Sequence, residues 1–261
     1  MAVVATLKAS GSADLATSPV AASEALGAIS FTAGSLIVVQ LMAIMGSSAA
    51  GALTCAAPSH TFATQASAYQ GVSDKASGES FTAVAVGGST TITIGTGASS
   101  TYGMFYAVYE VTGFDTGDPI DAVIGLADNT TDGAKTITLS GAPAASSVVL
   151  AGCVVDTDAG LNDIDGGTGW TEDAQVDSSA SFFGGAQFQQ RTGSTSASVL
   201  WNDIRAGASV AVFSFAGVAI EVAAGAGDAE EVNPVDNVGI TDAADVVVPP
   251  PRVRLAITRV I

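Results

Sequence analysis

Positive charge is what this chain has least of: 8 of its 261 residues are Lys or Arg, against 25 Asp or Glu, for a net charge of −17. Neutralising nucleic-acid phosphates needs clustered cations, so a nucleic-acid surface is excluded, and an anionic membrane surface is disfavoured for the same reason. Two cysteines, Cys55 and Cys153, are too few for a disulfide framework and lack metal-ligand spacing; they read as small buried hydrophobes. The one histidine, His60 in Pro58-Ser59-His60-Thr61-Phe62, has no marked nucleophile or orienting carboxylate to complete a triad, and it reads as a loop residue. No glycine-rich loop with a lysine opens a helix; Gly87-Gly88 and Gly184-Gly185 stand between candidate strands and read as hairpin turns or bulges.

Long apolar runs are also missing. The most apolar one, Leu36 to Met45, is about half the roughly 20 residues that a membrane-spanning helix needs. Residues 1–8 lack the basic stretch leading into an apolar core that marks a secretory leader. The expectation is therefore a chain without membrane or nucleic-acid partners. The acidic excess suits solubility at high local concentration or a salty habitat, because like charges keep molecules apart.

What is present is 48% hydrophobic residues with only 13% charged. Small and β-branched side chains dominate, which favours strands and turns over amphipathic helices. The stretch from Ile29 to Val111 repeats, in order, in the stretch from Ile137 to Val222. The first copy opens with Ile29-Ser30-Phe31 and Leu36-Ile37-Val38-Val39, the second with Ile137-Thr138-Leu139 and Val148-Val149-Leu150. Each opening reads as strand, tight turn, strand. In the middle, Ser80 to Val86 followed by Thr91 to Ile94 answers to Ala186 to Arg191 followed by Ser198 to Trp201, and both pairs look like hairpins. The copies close with Tyr102 to Val111 and Val210 to Val222, and Glu110 and Glu221 fall at equivalent places. Period-two alternation puts Ile92 and Ile94 on one face and Thr91 and Thr93 on the other, as a half-buried antiparallel strand requires. The continuous runs Leu36 to Met45 and Val148 to Val155 suit central strands.

The fold expected is all-β: an antiparallel, jelly-roll-like β-sandwich made by internal duplication, with extended N- and C-terminal arms. Two tandem β domains are the competing arrangement. The boundaries are residues 1–28 as an N-terminal arm, 29–222 as the duplicated sandwich (copies 29–111 and 137–222), and 223–261 as an acidic linker and C-terminal strand. That last segment holds Pro249-Pro250-Pro251 and then an alternating strand in which Arg252, Arg254, Leu255, Ile257 and Arg259 form a candidate surface for pairing with a partner's sheet edge.

Two further features carry possible chemistry. In the acidic loop, Asp156, Asp158, Asn162, Asp163 and Asp165 could supply oxygen ligands to Ca²⁺, although Leu161 and Gly167 stand where an EF-hand needs its turn glycine and bidentate Glu. A solvated loop without cofactor is the competing reading. Phe182, Phe183, Phe188 and Trp201, with Trp170 nearby, could line a surface on which sugars stack, with Trp170 the candidate ligand residue; core packing is the alternative for these aromatics. With 25 acids some carboxylate pair is always available, so no glycosidase pair is singled out, and Glu110 and Glu221 read as strand-end markers.

The strand Gly34-Ser35-Leu36-Ile37-Val38-Val39, the turn Gly169-Trp170-Thr171-Glu172, the strand Gln187 to Gly193 and the ending Ala219-Ile220-Glu221-Val222 resemble those of virion structural proteins of tailed bacteriophages, in particular jelly-roll decoration or minor tail proteins of high-GC hosts. The segment Asn237 to Val248 is similar to strand repeats of phage tail and surface proteins. The resemblance implies a non-enzymatic protein that coats a capsid or tail as a homo-oligomer, commonly a trimer. Its partners would be major capsid or tail proteins, in a virion assembled in the host cytoplasm. A receptor- or carbohydrate-binding tail module is the alternative it allows.

Overall fold

A computed structural model describes residues 2–13, 23–45, 53–69, 75–96, 101–128, 133–157, 164–177, 184–204 and 212–225. Every regular element among them is a strand, and every pairing is antiparallel. The first copy contributes eight: β1 (Val4–Ala13), β2 (Ser23–Phe31), β3 (Leu36–Met45), β4 (Leu53–Ala56), β5 (Ala63–Tyr69), β6 (Lys75–Val84), β7 (Gly88–Thr96) and β8 (Thr101–Thr112). The second contributes β9 (Ile120–Asp128), β10 (Lys135–Thr138), β11 (Val148–Thr157), β12 (Asp165–Gly166), β13 (Thr171–Asp177), β14 (Gly184–Thr192), β15 (Ser198–Asp203) and β16 (Val212–Val222).

The copies have the same topology. The first forms a five-stranded sheet in the order β1-β8-β3-β6-β5 and a three-stranded sheet β2-β7-β4; the second forms β9-β16-β11-β14-β13 and β10-β15-β12. Numbered within its copy, the chain pairs strand 1 with 8, 2 with 7 and 3 with 6, as one long eight-stranded hairpin would. Strand 8 then meets 3, and 7 meets 4, as if that hairpin had been rolled up. Only the fifth strand departs, pairing with the sixth rather than the fourth.

Rolling explains a difference from the sequence expectation. The stretches around β6 and β7, and around β14 and β15, look like hairpins because strand follows strand closely, yet in each pair the two strands lie in different sheets. The short connections are corners between layers. Gly87 and Gly88 make the first of these corners with φ of 89° and 81°, conformations costly to any residue with a Cβ. Gly184 and Gly185 are not a turn. They sit in β14 opposite Asp156 and Val155, where a Cβ on Gly184 would collide with Ile44 and the Val155 carbonyl.

Three apolar cores separate four layers. Between the three- and five-stranded sheets of the first copy lie Ile29, Ile37, Val39, Leu41, Ile92 and Ile94. Their counterparts in the second include Ile137, Val149, Ala151, Cys153, Val199 and Trp201. The third core joins the copies: Val38, Met42, Ile44, Phe105 and Tyr109 of one five-stranded sheet face Leu150, Val154, Phe188, Val218 and Ile220 of the other. Each copy is thus a β-sandwich, and the two share a middle core. β3 and β11 are covered on both faces, which is why their sequences run apolar without alternation. Ile92 and Ile94 are fully buried while Thr91 and Thr93 are exposed, as the period-two pattern requires.

The described residues of the expected N-terminal arm, 2–13 and 23–28, are built into the sheets rather than forming an arm. β1 closes the edge of the first five-stranded sheet against β8, and β2 belongs to the three-stranded sheet. Their small residues carry too weak a pattern to show this, because an edge strand buries little on either face. Val3 is buried in the shared core and donates its amide to the Ser146 carbonyl of the second copy. Residues 226–261, including Arg252, Arg254, Leu255, Ile257 and Arg259, lie outside the described residues.

Tyr109, fully buried in β8, donates its hydroxyl to Asp173 Oδ2 on β13 at 3.0 Å, so a hydrogen bond also spans the shared core. At the edges, Gly125 of β9 lies so near β5 that a methyl built on it would overlap the Ser67 carbonyl oxygen. Gly125→Ala should therefore lower stability by about 3 kcal/mol, the upper part of the range for overpacking a close contact. Gly27→Ala, with open space around its Cα, should shift stability by no more than about 0.5 kcal/mol. Urea midpoints of the two variants test this, and equal midpoints would mean that the copies do not close on each other at this edge.

Candidate functional site

The two glutamates aligned by the duplication have the same local role. Where the chain crosses from β2 to β3, Glu110 Oε1 accepts the Thr32 amide and the Ser35 hydroxyl at 3.1 Å, and its Oε2 accepts Lys8 Nζ at 3.1 Å. Ser35 Oγ also donates to the Thr32 carbonyl at 2.8 Å. In the second copy Glu221 accepts the Ala144 amide at 2.8 Å, and Ser147 Oγ donates to the Ala144 carbonyl at 2.7 Å. Each carboxylate clasps the corner that feeds a central strand. The Thr32 amide is the chief cause that holds the Glu110 carboxyl down from 4.5 to about 2, with Lys8 adding to it.

The acidic loop divides. Asp158, Asn162 and Asp163 lie outside the described residues; Asp156 is buried at the end of β11 and Asp165 is exposed in β12. Among the described residues no three His, Cys, Asp or Glu side chains gather closely enough to hold a metal ion. The loop's return leg is held by glutamines of the larger sheet: Gln175 Oε1 accepts the Ile164 amide at 2.8 Å and Gln189 Oε1 the Gly167 amide at 3.2 Å. Trp201 donates its indole N–H to Gln187 Oε1 at 2.6 Å within the second copy's own core, and Phe188 is buried on the other side of the sheet, in the shared core. Burial pushes the Cys55 thiol up to about 12 and the Cys153 thiol higher still, so neither supplies a thiolate near neutrality.

Trp170 ends the turn Gly167-Thr168-Gly169-Trp170, closed by its amide on the Gly167 carbonyl at 2.9 Å, with Gly169 at φ 82°. The Arg191 guanidinium lies over its ring, 4.4 Å from the centroid, and also donates to the Ser196 carbonyl. One face of the ring is therefore occupied by the protein's own cation.

The first copy has the same turn between its fourth and fifth strands: Ala57-Pro58-Ser59-His60, closed by the His60 amide on the Ala57 carbonyl at 3.3 Å, with Ser59 at φ 62°. His60 is thus the counterpart of Trp170, a relation visible in sequence only when the copies are aligned turn by turn. Its Nδ1 lies 2.8 Å from the Pro58 carbonyl, to which it must donate; Nε2 then accepts the Val86 amide at 3.4 Å, which fixes a neutral tautomer. Beside it opens a surface cavity of about 360 Å³ between this turn and the β6–β7 corner. Its polar lining is His60 with the residues Ser59, Ser89, Thr90 and Thr91, and Ala28, Pro58 and Val86 supply apolar surface.

Comparison with protein-family models, with curated proteins and with solved structures finds no match to this chain. No helix among the described residues is long and apolar enough to cross a membrane.

The Glu110 clasp has a pH signature. Its folded-state value lies below the ordinary carboxylate value of 4.5, so its contribution is fully present above 4.5 and is lost as the pH falls toward about 2. Glu110→Gln should lower the thermal midpoint at pH 7, and the gap to the parent protein should close as the pH drops through that window. A gap independent of pH would show that the carboxylate's charge is irrelevant to the corner.

Proposed function

We propose that the chain is a non-enzymatic virion structural protein that decorates or stabilises the capsid or tail of a tailed virus as a homo-oligomer, a trimer by the resemblance noted above. The observation that carries this reading is the rolled-hairpin strand order, repeated twice in one chain. Eight strands in two sheets, folded as a rolled hairpin, make a jelly roll, an architecture used by viral shell domains; on this reading the displaced fifth strand is a local variation. Two such units fused through a shared apolar core make a rigid block, suited to presenting loops from a fixed surface. The acidic excess suits many copies held close together, because their like charges oppose collapse between them. The glutamates placed by the duplication serve as corner clasps, which accords with reading them as strand-end markers.

The partners on this reading are major capsid or tail proteins, and the C-terminal strand with Arg252, Arg254, Leu255, Ile257 and Arg259 is the element proposed to dock onto a neighbour's sheet edge. Assembly needs neither a cofactor nor Ca²⁺. The second reading, a receptor- or carbohydrate-binding tail module, is favoured by one observation, the neutral hydroxyl-rich cavity at His60.

Mass spectrometry of purified particles tests the proposal. Many copies per particle mean decoration, a handful means a tail part, and absence from particles overturns it. Deleting residues 249–261 should abolish incorporation while leaving the thermal midpoint of the soluble protein unchanged; undiminished incorporation would remove the role given to the C-terminal strand.

A further inference from the structure

The twinned turns differ in what stands beside them. Arg191 is the penultimate residue of β14, paired with Val149; the matching position in β6 is Ala83, paired with Ile37. In the second copy the arginine reaches across to cover Trp170 and bond the Ser196 carbonyl. The first copy has no side chain at that position able to reach its turn, and there the cavity lies open beside His60.

The turn itself has diverged in a telling direction. Its third residue must adopt positive φ; the second copy uses Gly169, for which this is unstrained, while the first keeps Ser59 there, the only non-glycine residue with positive φ among those described. A side chain retained against the backbone's preference calls for a use, and that of Ser59 lines the cavity. Around it stand Ser89, Thr90 and Thr91, an imidazole that donates Nδ1–H to the Pro58 carbonyl and accepts the Val86 amide at Nε2, and the apolar surfaces of Ala28, Pro58 and Val86. Among the described residues no carboxylate, ammonium or guanidinium lines the space. A charged ligand would find no counter-ion here, whereas a neutral polyhydroxylated one would find both hydroxyl partners and apolar patches.

We propose that this cavity is a binding site for a single neutral saccharide unit, and that the equivalent site of the second copy is closed by Arg191 stacking on Trp170. The site goes beyond the assembly role and does not depend on it: a sugar can bind the isolated chain whether or not that chain coats a particle. Ser59, Thr90 and Thr91 would bond the sugar hydroxyls, while Ala28 and Val86 would meet its C–H face.

His60 is the only histidine, so its imidazole gives a single, unambiguous reporter. The full-length protein is titrated with the methyl glycosides of glucose, galactose, mannose and N-acetylglucosamine, and the His60 ring signals are followed by NMR. At least one glycoside should shift them saturably while the Trp170 indole signal stays fixed. Ala28→Tyr, at an exposed position, should fill the cavity and weaken that glycoside at least tenfold with no change in thermal midpoint; Thr91→Tyr serves if the first variant misfolds. Ser59→Gly, which restores the twin's residue, should keep or raise the thermal midpoint while weakening the sugar. The proposal fails if none of the four glycosides moves the His60 signals, if binding survives both tyrosine variants, or if inorganic phosphate shifts those signals and the glycosides do not.

Discussion

A sheet that is apolar on both faces has to be covered on both faces, and the structure follows from that demand in β3 and β11. Every residue of β3 from Leu36 to Met45 is buried, with alternate side chains feeding two different cores. One small sheet can cover one face of each five-stranded sheet. The other face has no cover except the second copy, so duplication and burial are one solution: each copy supplies what the other lacks. Stripping apolar area from water at about 25 cal/mol per Å² makes the joining of two such faces strongly favourable, with no need for charge pairing between them. The ion pair of Lys8 with Glu110 lies within the first copy.

Close approach across the shared core has a cost. Gln40 interrupts the apolar run of β3 on the face toward β11, and neither its Oε1 nor its Nε2 finds a hydrogen-bond partner among the described residues; the neighbouring Ser80 hydroxyl is alike. An unsatisfied buried polar group costs about 1–3 kcal/mol, so this point of the seam is less stable than the leucines and valines around it. Opposite it Gly152 leaves room for Gln40, Met42 and Phe188, any of which a Cβ there would crowd. Small residues on one copy thus accommodate large ones on the other, and the halves fit because their sequences have diverged.

The legibility of the fold tracks this physics. The central strands were readable because double burial leaves an unbroken apolar run, and β7 because single burial leaves alternation. β1 is not readable: at an edge, Val4 to Ser12 alternates only between exposed and half-buried positions and only Ala13 is buried, so Leu7 and Lys8 give no decisive period. A corner looks like a hairpin in sequence because a tight turn is the same whether the next strand pairs with the last or crosses to the facing sheet. Only long-range pairing separates the two, and no local pattern encodes it. The site is harder still. Ala28, Ser59 and the stretch from Val86 to Thr91 come from three separate segments, and none stands out in the sequence. Trp170 stands out in sequence as a large aromatic, yet the sequence does not show that Arg191 covers it.

What duplication holds constant and what it releases bears on where function can reside. The elements kept in both copies, the strand order, the glutamate and serine at each corner and the apolar central strands, are those that the shared core and its corners require. The turn between the fourth and fifth strands lies at the surface, outside that requirement, and there the copies have parted: His60 against Trp170, Ser59 against Gly169, Ala83 against Arg191. Relaxed packing alone would let residues drift toward whatever is least costly, which at a position of positive φ is glycine. The first copy has a serine there instead, beside an open cavity, while the second has glycine and a closed one. A drift toward lower strain accounts for the second turn and not for the first, so the strained turn is where a selected contact is to be expected.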